Sequence, residues 1–125
     1  MKVSLSPDEK CENKIREFNE IYLASLPFSE QIQCLCNLLF SLHKYQIQDS
    51  KLAAEQLPVV QNNLGVVLVH STQNLPGKEI IDRLKESIRL FAISASAGNQ
   101  RAKENLPIVQ NKLARALRMQ RNNHK

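Results

Sequence analysis

The spacing of apolar side chains predicts a helix near the start of the chain. Apolar residues recur in steps of three or four, as on one face of a helix, at Cys11, Ile15, Phe18, Tyr22 and Leu26. Ser6 and Glu9 have the spacing of a capping box, and Pro7 occupies the first helical position. We therefore predict a leading helix over residues 7–24.

The next segment has the pattern of a deeply buried helix. Between residues 28 and 47 the polar side chains form one narrow stripe, and nearly all the others are apolar. A helix with so little polar surface is surrounded on most sides. We place it at the centre of the fold.

Two later helices each contain a proline after about two turns. The first begins near Lys51, and the second covers 99–120 and is followed by a polar tail over 121–125. Pro58 and Pro107 each remove a backbone donor, so each segment is either one helix bent at its proline or two shorter helices. We predict the bent form. Between them, periodicity predicts a helix over 76–97, which ends at a glycine suited to the left-handed C-cap position.

An internal repeat organises these helices. Residues 57–64 and 106–113 differ at two of eight positions and lie 49 residues apart. Repeats of about this length are typical of stacked supersecondary units. We therefore predict an all-α, single-domain array of five helices, with the leading helix followed by two helical hairpins over 26–71 and 75–120.

The repeat also decides between strand and helix at one segment. Residues 66–69, Val-Val-Leu-Val, are apolar and three of the four are β-branched, which by itself favours a strand. Their counterparts 49 positions later, residues 115–118, are good helix formers. We predict helix for both segments.

A family pattern lies within the second hairpin. An aromatic residue, two small residues, Gly-Asn, Ala and Asn-Leu stand at the intervals of the Sel1-like class of tetratricopeptide repeats, at Phe91, Ser94, Ala95, Gly98, Asn99, Ala102, Asn105 and Leu106. Residues 91–106 resemble that family in this respect. The resemblance implies a right-handed helical stack that serves as a protein-interaction scaffold, and it implies no catalytic residues.

Positive charge is concentrated toward the carboxyl terminus. The net charge is +5, with −2 over residues 1–75 and +7 over residues 76–125. The candidate binding residues are a basic stripe on the last helix and two residues upstream of it: Lys112, Arg115, Arg118 and Arg121, with Arg101 and Lys103. Such charge favours an acidic protein surface or helix, or a phosphate backbone.

The repeat offers a structural interpretation of the same stripe. Four of the basic residues fall on Leu52, Asn63, Val66 and Val69 of the first hairpin, a mostly apolar set. We expect this first set to pack under the second hairpin. The basic set then makes the end of the array soluble, as terminal repeats require.

The duplicated pairs Gln61-Asn62 and Gln110-Asn111 come just after each proline. Their amides could satisfy the carbonyls that the proline leaves without a donor, or hydrogen-bond across the helix hairpin. We favour these structural roles over ligand binding.

No known catalytic or metal-binding motif occurs in the sequence. It lacks a glycine-rich phosphate loop and the zinc-protease and serine-hydrolase motifs. Cys34 and Cys36 point to different sides of one helix and cannot chelate one metal together. A catalytic alternative would need a pocket that gathers Glu55, Glu104 and a histidine. We expect no enzyme activity, cofactor or metal.

The cysteine count and the missing signal and membrane segments predict where the protein resides, and its charge predicts the kind of partner it binds. Three cysteines, no signal-peptide pattern and no long apolar run indicate a cytoplasmic protein without a membrane span. We expect an adaptor that binds a peptide or helix of another protein through the hairpin groove or the basic last helix. The alternative is a nucleic-acid-binding module, and self-packing of the last helix would give a homodimer.

Overall fold

The structure is a computed structural model that describes residues 4–123, and this region is all-α, as predicted. Its five helices are α1 (Pro7–Asn19), α2 (Phe28–Ile47), α3 (Lys51–His70), α4 (Gly77–Ser96) and α5 (Gln100–Asn123), and a 3₁₀ turn covers Leu23–Ser25. Each helix packs against the next one along the sequence.

Helix α3 lies at the centre of the array, because it packs against all four other helices. The prediction that α2 is the central helix is wrong. On α2, Phe40 is 76% exposed and Ile47 is 83% exposed, so the outer face of this helix meets solvent despite its apolar sequence. Apolar composition does not show which helix has neighbours on every side.

Helix α1 begins as predicted and ends five residues earlier than predicted. The Ser6 hydroxyl accepts from the Glu9 N–H at 3.1 Å, and the Glu9 carboxylate accepts from the Ser6 N–H at 3.2 Å. The helix ends at Asn19, because the backbone then enters the 3₁₀ turn, where the Ser25 hydroxyl donates to the Tyr22 carbonyl. Tyr22 is therefore exposed and does not extend the buried face.

Helix α5 is longer than predicted. It continues to Asn123, so residues 121–123 of the predicted tail are helical. Residues 124 and 125 lie outside the described residues.

The two hairpins turn with the same geometry. Asp49 and Gly98 stand 49 positions apart, and both have left-handed backbones, with φ of 67° and 98°. The residue after each one caps the following helix: Ser50 Oγ and Asn99 Oδ1 accept from the N–H three residues on, at 3.0 and 2.9 Å. Helices α2 and α4 consequently end, and α3 and α5 begin, at positions 49 apart.

Both prolines lie inside continuous helices. Pro58 is within α3 and Pro107 is within α5, so neither segment divides into two helices. Residues 66–69 are helical, which confirms the prediction made from the repeat. The Pro58 carbonyl accepts a hydrogen bond from the Ser94 hydroxyl of α4 at 2.5 Å.

Helices α3 and α4 approach closely through small residues. The buried Ser87 hydroxyl donates to the Gly65 carbonyl at 2.8 Å, and the ring of Phe91 lies directly over Gly65. Val66 and Val69, on the adjoining face of α3, pack into the apolar cluster of α4 and α5. Of the four residues predicted to pack under the second hairpin, Val66 and Val69 do so, whereas Leu52 packs against the other core cluster, which contains Leu42, and Asn63 is exposed.

Candidate interaction groove between α3 and α5

A groove separates α3 from α5. The two helices run in the same direction against α4 and touch each other sparsely, so a gap remains between them. The larger compartment, about 570 Å³, is bordered by Phe18, Leu23, Leu35, Asn62, Asn63, Val66, Val67, Arg101, Glu104 and Asn105. The smaller compartment, about 200 Å³, is bordered by Val66, Val69, His70, Phe91, Asn105, Ile108, Val109 and Lys112. We call the two compartments together the α3–α5 groove.

The floor of the smaller compartment is apolar. Phe91 of α4 and Val109 of α5 are almost fully buried there and belong to the core cluster of the second hairpin. Val66 borders both compartments. An apolar group that a partner places on this floor would therefore be removed from water, which stabilises binding.

An asparagine pair crosses the groove at the junction of its compartments. Asn105 Nδ2 on α5 donates to Asn62 Oδ1 on α3 at 3.1 Å. Asn62 is only 4% exposed, whereas its repeat counterpart Asn111 is exposed. The predicted hydrogen bond across one hairpin is not what Asn62 forms, because its bond joins α3 of the first hairpin to α5 of the second. Gln110 and Asn111 face solvent.

The charged side chains of the groove lie on α5. Arg101 and Glu104 border the larger compartment, and their charges offset each other there. Lys112 borders the smaller compartment, whose lining contains no carboxylate. The smaller compartment therefore has the more positive surroundings.

The predicted basic residues do not share one face of α5. A step of three residues falls about 60° short of a full helical turn. Arg115 accordingly stays near the groove side, while Arg118 and Arg121 wind away from it and Lys103 lies on the far side of α5 from Arg101. Of the six candidates, only Arg101 and Lys112 border the groove.

Apart from Arg101, whose charge Glu104 offsets, these cations have no acidic partner among residues 4–123. In residues 4–123 the salt bridges join charges of α1 to each other or charges of α4 to each other: Lys14–Glu17, Arg16–Glu12 and Arg89–Glu86. All six candidate residues on α5 are exposed. Their charge is available to an anionic partner.

Sequence reasoning missed two apolar residues beside these cations. Ile108 is 54% exposed and Met119 is 62% exposed. Their spacing from Lys112, four residues before and seven after, puts all three on the groove side of α5. The sequence contains this arrangement, since Ile108, Lys112 and Met119 stand at positions i, i+4 and i+11 of one helix. The candidates predicted from the sequence on this helix are only its basic residues.

The cysteines are free and do not form a binding site in the described region. Cys11 is buried, Cys34 borders a cleft of about 160 Å³ between α1 and α2, and Cys36 is exposed on α2. Desolvation raises the pKa of the Cys11 and Cys36 thiols, which lowers their reactivity. Residues 4–123 contain no group of three or more metal-ligating side chains that could hold a metal ion.

The residues of the catalytic alternative are not brought together. Glu104 borders the larger compartment and His70 the smaller one, and Glu55 borders neither. Within the described residues, these groups do not share a pocket.

The sequence and fold match no protein-family model, no curated protein and no solved structure. Across residues 4–123, none of the helices combines the length and the apolar character needed to cross a membrane.

Proposed function

We propose that this domain binds a segment of another protein in the α3–α5 groove. The observation that carries the proposal is the exposure of Ile108 and Met119 on the groove side of α5, beside Lys112 and Arg115. Ile108 borders the smaller compartment, and Met119 lies farther along the same side of α5. Apolar side chains among cations are typical of a binding surface with apolar anchors and a polar rim.

The groove has the dimensions and chemistry for a peptide. Its larger compartment falls within the range of volumes that ligand sites occupy in proteins. Apolar side chains of the partner would cover Val66, Phe91 and Val109, and a carboxylate would pair with Lys112. The partner is therefore a segment that combines apolar and acidic residues. The three free cysteines suit a reducing compartment, so we place this function in the cytoplasm.

The test is affinity capture from host lysate with matched variants. Wild type and Lys103→Glu, which reverses a charge on the far side of α5, should retain the same partners. Ile108→Glu and Lys112→Glu should each lose them, because one places a charge on the apolar wall and the other repels an acidic partner. Identical capture by all four proteins would exclude the groove as the binding site.

A nucleic-acid partner is the second candidate, since the cations of α5 wind half a turn around an exposed helix without salt bridges. Binding to a phosphate backbone would weaken steeply with salt. It would also depend on Arg118 and Arg121, which lie away from the groove. Binding of a mixed-sequence duplex that vanishes in Arg118→Glu/Arg121→Glu and persists in Ile108→Glu would favour this candidate.

A further inference from the structure

We propose that the asparagine pair Asn62–Asn105 recognises the peptide backbone of the partner, and that the partner segment is extended and acidic. This inference rests on the proposed function of the groove. It chooses an extended conformation for the partner segment, which the sequence leaves open as a peptide or a helix. It also assigns a role to Asn62 and Asn105, which line the groove.

The first step concerns the hydrogen bonds that the pair leaves free. Each asparagine amide offers two donor hydrogens and an acceptor oxygen. One bond joins the two side chains, from Asn105 Nδ2 to Asn62 Oδ1. Within residues 4–123, Asn62 Nδ2 and Asn105 Oδ1 form no hydrogen bond to a side-chain or backbone group. Three of the four amide hydrogens therefore remain free, two of them on Asn62 Nδ2, together with the acceptor oxygen of Asn105.

The second step locates the free groups. Asn62 is only 4% exposed, yet no fully buried side-chain nitrogen or oxygen of residues 4–123 lacks a partner. Its Nδ2 atom therefore keeps some exposed surface, and Asn62 borders the larger compartment. A partner that covers this atom has to supply an acceptor, because an unsatisfied buried donor is destabilising.

The third step matches these groups to a peptide unit. One backbone carbonyl and one backbone N–H complement the free donor and acceptor of the pair. In a helix each of those groups is already hydrogen-bonded to a backbone group four residues away, whereas an extended segment presents them to a neighbour. The pair therefore favours an extended segment over a helix.

The fourth step places the partner's side chains. Asn105 borders both compartments, so a peptide unit bound to it lies at their junction. Residues two apart in an extended segment point the same way and are separated by roughly 7 Å. One such residue enters each compartment, and the one over Val66 and Phe91 is apolar. An acidic residue nearby faces Lys112, where no carboxylate competes.

The experiment uses a displayed library of random 12-residue peptides, selected on the wild-type protein. We expect the selected peptides to combine acidic and apolar residues and to lose binding to Ile108→Glu. In a fluorescence-anisotropy titration with one labelled peptide, Asn62→Leu should weaken binding about tenfold, the effect of losing one or two hydrogen bonds. The control Asn111→Leu changes the repeat counterpart, which is exposed, and should bind as wild type.

Methylation of single backbone nitrogens of the peptide isolates the backbone contact. One position, whose N–H donates to Asn105 Oδ1, should lose about tenfold in affinity for wild type and little for Asn105→Leu, because the acceptor of that hydrogen bond is already absent there. If Asn62→Leu does not fold, Asn105→Leu, at a half-buried site, also replaces it in the anisotropy titration.

The outcomes separate this inference from the proposed function. Peptides that lose binding to Ile108→Glu but ignore Asn62→Leu and every methylated position would overturn backbone recognition and leave the groove as a binding site. Peptides that bind as helices, shown by circular dichroism of the complex, would do the same. A selection without any peptide sensitive to Ile108→Glu would overturn both proposals.

Discussion

Gly65 of α3 and the ring of Phe91 of α4 are in direct contact, because glycine has no side chain to hold the ring away. A Cβ atom built on Gly65 would lie 2.6 Å from Cε1 of Phe91. The Phe91 ring is fully buried and forms the floor of the smaller compartment. This contact therefore sets both the distance between the two hairpins and the depth of the groove.

Gly65→Ala should destabilise the protein. Forcing an extra carbon into a packed core typically costs about 1–3 kcal/mol. The better helix propensity of alanine offsets up to about 1 kcal/mol of that. We expect a net loss of about 1–2 kcal/mol in the free energy of unfolding, measured by urea denaturation. Gly77→Ala is the control, because a Cβ added at Gly77 meets no side chain or other helix within 4 Å. The stability of this variant should equal that of wild type or slightly exceed it. Equal stability of the two variants would contradict the close contact.

The turn positions Asp49 and Gly98 allow a reciprocal test. Gly98 has φ of 98° with open space around it, so Gly98→Ala should destabilise through its backbone alone, by about 1–2 kcal/mol. Asp49→Gly places the permissive residue at the equivalent left-handed position and should stabilise by less than about 1 kcal/mol. Thermal denaturation of both variants measures the difference. A stabilising Gly98→Ala would show that the turn is not left-handed.

The duplicated segment predicts opposite outcomes for the same substitution. Asn62→Ala removes the hydrogen bond to Asn105 at a buried site, so it should destabilise by about 1–2 kcal/mol. Asn111→Ala changes the equivalent residue of the second copy, where the amide faces solvent, and should stay within about 0.5 kcal/mol of wild type. Chemical denaturation of the two variants side by side is the measurement. Similar losses in both would mean that the two copies have the same environment.

The contact between α1 and α3 should respond to acid. The Ser50 hydroxyl and the Leu52 N–H donate to Asp8 Oδ1 at 2.5 and 3.2 Å, and these hydrogen bonds lower the pKa of Asp8. A pKa lowered by folding means that ionised Asp8 stabilises the fold. This stabilisation is present above the unfolded-state pKa of about 4 and is lost as the pH falls through the folded value.

The measurement is the urea midpoint of wild type and Asp8→Asn between pH 7 and pH 2. Wild type should be the more stable at pH 7, and the difference should shrink below about pH 4 as Asp8 becomes protonated. Glu55→Gln, at an exposed position of α3 whose carboxylate forms no hydrogen bond or salt bridge within residues 4–123, controls for removal of a surface carboxylate. A difference that stays constant down to pH 2 would rule out the role of the ionised Asp8.

Local sequence determined the helices of this protein. Capping residues such as Ser6 and the left-handed Gly98 act over a few residues, so their effects can be read without knowing the fold. The 49-residue offset extended this reading to residues 66–69, where composition alone favours a strand. The basic residues of α5 and their winding around the helix follow from their spacing, but which of them border the groove does not.

Only the tertiary structure decided which surfaces those helices bury. Asn62 and Asn111 stand in nearly identical segments, yet one bridges the groove and the other faces water, because α3 has neighbours on both sides and α5 ends the described array. The same difference made α3, rather than α2, the central helix. The groove itself arises from the Gly65–Phe91 approach and from the sparse contact of α3 with α5, which are relations between distant segments that local sequence patterns do not contain.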